Sequence, residues 1–287
     1  MAHNRAARGN YFPEKDKPIL IHLPALLFLS LFTGVAASAI GFTAWPLVVP
    51  VLFVLFGVDI YLTIFISLLM DCGNALVMTV IAARKGRVLV RQGLTLAAFA
   101  LPWIFAGILI GRTFIPQNED YFRGSAGYLT MLLGVFFIAR GLKKSTPEPK
   151  AILEPRNRFR LVPLFAGVAV MALHVGLIGI GGGMGYAVFL MLCISAPVLT
   201  ATGTAMLMTL ISTIFASILI FFQIPDPGLD HEILRHGLPL MLLASIAGTG
   251  MGSKIAYSVS EAKLNLFIGI IVVGAGLAAA LHRFYIQ

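Results

Sequence analysis

Apolar residues in this chain come in long unbroken runs rather than at the alternating spacing of a strand or the one-sided spacing of a surface helix. From Pro18 to Ala83 the sequence is almost wholly apolar, interrupted by Gly41-Phe42-Thr43-Ala44-Trp45-Pro46 and by Phe56-Gly57-Val58-Asp59. These interruptions predict a long helix over 19–40, a short one over 46–57 and a long one over 60–83. The basic turn Arg84-Lys85-Gly86-Arg87 follows, and two more apolar runs occupy 93–114 and 124–142, separated by Gln117-Asn118-Glu119-Asp120. After a polar, basic stretch at 143–160 the layout begins again: 161–180, a short run at 184–195 closed by Ser195-Ala196-Pro197, then 198–222, 237–253 and 264–282. Runs of about 20 apolar residues match the thickness of a hydrocarbon layer, and the short ones reach only halfway.

The chain thus divides into a polar tail (1–17), a first membrane repeat (18–142), a basic linker (143–160) and a second repeat (161–287). Local matches support duplication. Arg91-Gln92-Gly93-Leu94 answers Arg235-His236-Gly237-Leu238, and Gly107-x3-Gly111-Arg112 answers Gly248-x3-Gly252-Ser253-Lys254. Gly41 lies 50 residues before Arg91, and Gly183 lies 52 before Arg235.

Composition fixes the class. Of 287 residues, 59% are hydrophobic and 11% charged, and the mean hydropathy is +0.93. The fold class expected is an all-α, polytopic transmembrane protein. The net charge of +9 resides in loops between apolar runs, where the positive-inside rule and anionic headgroups account for it; no nucleic-acid partner is implied. Cys72 and Cys193 sit within apolar runs, so neither a disulfide framework nor a metal site is expected. Arg5, Arg8, Lys15 and Lys17 before an apolar run ending in Ala36-Ala37-Ser38-Ala39 resemble a signal peptide. The counterpart of this run in the second half argues instead for a retained membrane segment.

Charge also predicts topology. Placing loops 84–91, 143–160 and 254–263 in the cytoplasm collects most Lys and Arg there and puts the acidic loops 117–120 and 226–232 outside. Each half then crosses an odd number of times, so the halves are inverted repeats with both termini outside, although this puts the basic tail on the less favoured side. Short Gly/Pro-interrupted segments at matching positions of inverted repeats point to a transporter's midplane site.

The strongest such interruption is Gly176-Leu177-Ile178-Gly179-Ile180-Gly181-Gly182-Gly183-Met184-Gly185. Each glycine costs a helix interior about 1 kcal/mol relative to alanine. Broken backbone at membrane depth survives only where protein buries it or a polar cavity lines it. A helix restarting there aims free N–H groups and roughly +0.5 elementary charge at the break, which suits an anion. Close packing of small residues between helices is the structural alternative.

With its Pro-bounded short segment and Leu199-Thr200-Ala201-Thr202-Gly203-Thr204-Ala205, this stretch resembles the TauE/SafE sulfite exporter family of bacterial and archaeal anion permeases. The paired glycine-rich spans ending near Gly111 and Gly252 match as well, and the resemblance covers about residues 25–282. It implies outward movement of sulfite, sulfonates or related organosulfur anions across the inner membrane. The first half departs from it: Gly34-Val35-Ala36-Ala37-Ser38-Ala39-Ile40-Gly41 stands where the family often shows a fuller glycine motif.

The reading is therefore a secondary transporter whose half-membrane helices meet near the midplane. Substrate contacts are expected from Gly41, Thr43, Asn74, Gly181, Gly182, Gly183, Thr202 and Thr204. Asp71, a carboxyl inside an apolar span, costs about 2.5–3.5 kcal/mol at a helix centre if charged. It must face the interior or be protonated, and so is a candidate proton carrier; a polar pair with Asn74 is the alternative. His174, two residues before the glycines, is a second proton candidate, with a plain interhelical hydrogen bond as its alternative. Arg112 and Lys254 are expected to snorkel, while Trp45, Trp103 and Tyr186 serve as packing or interface anchors. No enzyme motif, metal spacing or cofactor signature is present. The partners implied are a small anion and membrane lipids, and a homodimer is compatible with the sequence. An anion channel and a non-transporting assembly partner are the rival readings.

Overall fold

The computed structural model describes residues 23–40, 43–117, 158–194, 196–224 and 233–256, with scattered positions in 128–142 and 258–277. The polar tail, most of the linker, Gly41 and the acidic loops 118–120 and 226–232 lie outside the described residues. The helices are α1 (Leu23–Ile40), α2 (Trp45–Leu55), α3 (Ile60–Arg84), α4 (Val90–Gln117), α5 (Arg158–Ile178), α6 (Gly183–Ile194), α7 (Val198–Phe221) and α8 (Leu238–Ala256). Five described stretches are long and apolar enough to cross a bilayer: Ile60–Arg84, Val90–Phe114, Leu161–Ile178, Leu199–Phe221 and Ile233–Ile255. No strand occurs among the described residues. The chain is a multi-pass, all-α membrane protein.

Local chemistry sets the element ends. α2 opens with Pro46 in its first turn, where the missing N–H is no loss. Pro50 then cannot donate into the ladder, and the helix widens to a π-turn over Pro50–Leu55. Gly57, at φ 66°, turns the chain, and the Asp59 carboxylate caps α3 by accepting from the Leu62 amide at 3.0 Å. α3 ends on Gly86 at φ 66°, with Gly86 N–H bonded to Ala83 O at 2.9 Å and Arg87 N–H to Ala82 O at 2.9 Å.

Helix neighbours follow one rule. α1 lies along α8 as α4 lies along α5; α2 packs on α3 as α6 packs on α7; α3 touches α8 as α4 touches α7; and α3 crosses α7 itself. Exchanging the two halves leaves this set of neighbours unchanged. α3 and α7 run antiparallel: Phe65 stacks near Phe221 at 5.5 Å between ring centroids, while Gly203 faces Ala82 at the other end.

The matched glycines lie at matched crossings. A Cβ on Gly107 or Gly176 would strike the backbone of the facing helix in the α4–α5 pair, at Leu173 O and Ile104 O respectively. Gly248 and Gly34 do the same in the α1–α8 pair, against Leu31 O and Ser245 O. Backbones this close cannot be reached over larger residues. Gly134 and Gly269 make a third such approach, each within 2.9 Å of the other's carbonyl if given a Cβ.

Candidate functional site

Both predicted interruptions are breaks in the helices. α1 stops at Ile40 and α2 starts at Trp45; α5 stops at Ile178 and α6 starts at Gly183. Within the second break the glycines have separate tasks. Gly179, at φ 73°, ends α5 in the left-handed conformation, its N–H bonded to Val175 O at 3.0 Å. Gly181 and Gly182 have no space for a Cβ, which would meet the Asp71 carboxylate and the Tyr186 ring respectively.

The two breaks meet at Asp71. The Ala44 amide, at the start of α2, donates to Asp71 Oδ1 at 2.6 Å. Asp71 Oδ2 lies against Gly181, whose absent Cβ would also stand 3.2 Å from the Thr43 methyl. Oδ2 is near enough to feel the Gly181 amide electrostatically, yet it closes no hydrogen bond of ordinary geometry. Among the described residues Asp71, 3% exposed, is the one buried acidic or basic side chain. No cation balances it; backbone amides at the breaks are its partners.

Polar groups continue from this point along the two crossing helices. On α3, Thr63, Ser67, Asp71 and Asn74 are buried, and each holds an oxygen or nitrogen with no partner. Their spacing puts them along one side of the helix. On α7, Thr209 and Ser217 are likewise buried and unpartnered. Between them Thr213 adjoins the Cys72 thiol, and Ser212 lies 3.4 Å from the Tyr186 hydroxyl. Unpartnered buried hydroxyls are uncommon in packed cores and call for an explanation. The Trp45 indole N–H, at the first break, is another.

Asn74 is not paired with Asp71. Its amide oxygen faces Ser245 Oγ and Thr249 Oγ1, each at 2.8 Å, tying α3 to α8. Thr249 has one proton but also reaches Ser245 O at 3.0 Å. If the proton goes there, the Asn74 amide turns over. In either orientation one end of that amide remains buried without a partner.

Three sequence expectations change. Thr204 accepts from the Leu89 amide at 2.9 Å and donates to Thr200 O at 2.7 Å, so it fastens the loop after α3 to the start of α7. The intervening α6 carries the chain away from the break before Thr204 arrives. Thr202, half-buried on the same turn, goes with it. His174 points off the bundle, exposed, with Nδ1 donating to Val170 O at 2.8 Å; the buried side of α5 carries Ala172 and Val175 instead. Trp45, read as a packing or interface anchor, is 1% exposed and packs in the core at the start of α2, beside the first break. Thr43, Gly181, Gly182, Gly183 and Asp71 do come together or adjoin the breaks, and Gly41 lies outside the described residues.

The residues that sequence reasoning passed over are Thr209, Ser212 and Thr213. The 142-residue offset that takes Gly34 to Gly176 takes Asp71 to Thr213 and Ser67 to Thr209, which was the available signal.

A family model described as Sulfite exporter TauE/SafE matches residues 22–279. Searches of curated proteins and of solved structures give no match.

Proposed function

Since the chain belongs to the TauE/SafE sulfite exporter family, a family of membrane transporters, we propose that it exports sulfite or a small organosulfonate through the meeting point of its two helix breaks. The observation that carries this reading is the Ala44 amide at 2.6 Å from Asp71 Oδ1, with Gly181 against the other oxygen. Backbone at these breaks is arranged around the paired oxygens of a carboxyl group, a grouping that resembles what a sulfite or sulfonate presents. The halves act as inverted repeats: exchange leaves helix neighbours unchanged and the equivalent helices α3 and α7 run antiparallel, which supports rocking of one half against the other.

Asp71 carries the coupling proton in this scheme, and His174, facing away from the bundle, does not. Export also has the electrical gradient behind it, since an inside-negative 100 mV favours each exiting charge by about 2.3 kcal/mol. The inner membrane is its expected home. Purified protein in proteoliposomes should show saturable flux of sulfite, sulfoacetate or taurine that responds to a pH gradient, with the pH response lost in Asp71→Asn. Unsaturable conductance would make it a channel, and a full pH response in Asp71→Asn would remove Asp71 from coupling.

A further inference from the structure

We propose that Asp71 is a built-in competitor of the transported anion: its carboxylate occupies the seat at the two breaks whenever substrate is absent, and the two cannot occupy it together. This rests on the reading that the breaks hold the substrate.

Three observations lead there. The Ala44 N–H at the head of α2 is a donor that a substrate oxygen would require, and Asp71 Oδ1 already accepts it at 2.6 Å. The second break is shaped to the same group, because Gly181 leaves only the space that Asp71 Oδ2 fills. Finally, Oδ2 is buried and closes no hydrogen bond of ordinary geometry, although the Gly181 amide stands beside it. A carboxylate built in as a permanent brace would close good bonds at both oxygens, since a poorly partnered buried group forfeits its hydration for little in return. A group that must leave gains from being held at one oxygen only.

Among the described residues nothing else around Asp71 balances a second negative charge. The titratable neighbours of Asp71 are the Cys72 thiol, next to it in the chain, and the Tyr186 phenol on α6 beyond Gly182. α2 presents Ala44 and Trp45 near it, and the α3 seam continues as Ser67 and Asn74. The polar groups of α7 and α8 there are the hydroxyls of Ser212, Thr213, Ser245 and Thr249. None of these is a base that could neutralise a substrate and a carboxylate side by side. Substrate can therefore enter only as Asp71 withdraws from the Ala44 amide and takes up a proton, and Asp71 returns as substrate leaves. Mutual exclusion couples proton to anion without a dedicated gate.

Competition has a signature that a simple proton relay lacks. Apparent affinity is the intrinsic affinity reduced by the fraction of molecules whose seat is vacant. Binding of sulfite and of sulfoacetate to the full chain in nanodiscs, measured calorimetrically at pH 6 and pH 8, should weaken as pH rises in the wild type. Asp71→Ala should bind about tenfold tighter than wild type at pH 8, with the pH dependence gone. Asp71→Asn, a neutral isostere that retains an acceptor for Ala44, should lose the pH dependence and serves as the check if the alanine variant fails to fold. Unchanged or weaker binding in Asp71→Ala overturns the competition while leaving the transport reading intact, as does pH-dependent binding retained in Asp71→Asn. Absence of binding in wild type and variants alike overturns the transport reading, and the competition with it.

Discussion

The two helix breaks occupy equivalent places in the two halves but are made by different chemistry. In the second, glycine supplies the left-handed turn at Gly179 and the space at Gly181. In the first, Pro46 opens α2 where no N–H is needed, Pro50 weakens the ladder a turn later, and the Ala44 amide supplies the hydrogen bond to Asp71. The first break contributes the donor that closes a hydrogen bond, and the second contributes chiefly room. Their shared centre is lopsided too, for Asp71 on α3 has Thr213 as its counterpart on α7. A duplicated frame positions the site, and departures from the duplication give it a function: two equal carboxylates facing each other would repel, and two hydroxyls would carry no charge.

This contrast is open to attack from either side. Gly181→Val is the larger blow, because the new side chain takes the space of the Asp71 carboxylate. Flux in proteoliposomes should fall by about a hundredfold, as expected when a reacting group is displaced by an ångström or so. Near-normal flux would mean that the second break contributes no essential space. Ala44→Pro tests the first break more gently. Ala44 has φ −68° and ψ −28°, within reach of proline, so the substitution deletes the N–H with little strain on its own φ. A hydrogen bond to a charged acceptor contributes about 1.5–3 kcal/mol. Anion binding should weaken by that amount, some tenfold or more, while the fold persists by circular dichroism.

Much of this arrangement could be read from the chain before any coordinates. Apolar runs gave the spanning helices, glycine and proline marked both breaks, and a lone carboxyl in a hydrophobic run pointed to Asp71. What linear reading could not supply was the path of the chain between marks. Thr200, Thr202 and Thr204 stand close to the glycine break in sequence, yet the twelve residues of Gly183–Ile194 carry them away by about 18 Å at 1.5 Å per residue. His174 failed through helical phase: it lies two residues from Gly176, which packs on α4, so at about 100° per residue it faces elsewhere. Thr209 and Ser217 look like ordinary small helix residues until the packing of the bundle encloses them. Burial without a partner is a property of the packing, and only the assembled bundle reveals it.

The symmetry that frames the breaks can be sharpened by a matched pair. Gly107→Ala strikes the α4–α5 crossing and Gly248→Ala the α1–α8 crossing, each placing a methyl on a facing carbonyl. Overpacking of this kind costs about 1–3 kcal/mol. The two variants should lose similar stability against denaturant in detergent, by similar amounts within about 0.5 kcal/mol for sites that do not share neighbours. A large loss in one with none in the other would show that the crossings are alike in geometry and unlike in energy.

The smallest effect is expected at Thr204, where it separates a fastening role from a substrate-binding one. Thr204→Val keeps shape and volume but removes the oxygen that accepts from the Leu89 amide. That amide is only part-buried, so water can take over some of the bond, and the loss should be near 1 kcal/mol, the low end for an unsatisfied donor. Because Leu89 closes the turn between α3 and α4, the cost should appear as faster hydrogen exchange in residues 85–90 and a slightly lower melting temperature. The KM for sulfite or sulfoacetate should not move. A raised KM with normal exchange would return Thr204 to the transport path and would require the anion to pass the start of α7, away from the breaks at which Asp71 sits.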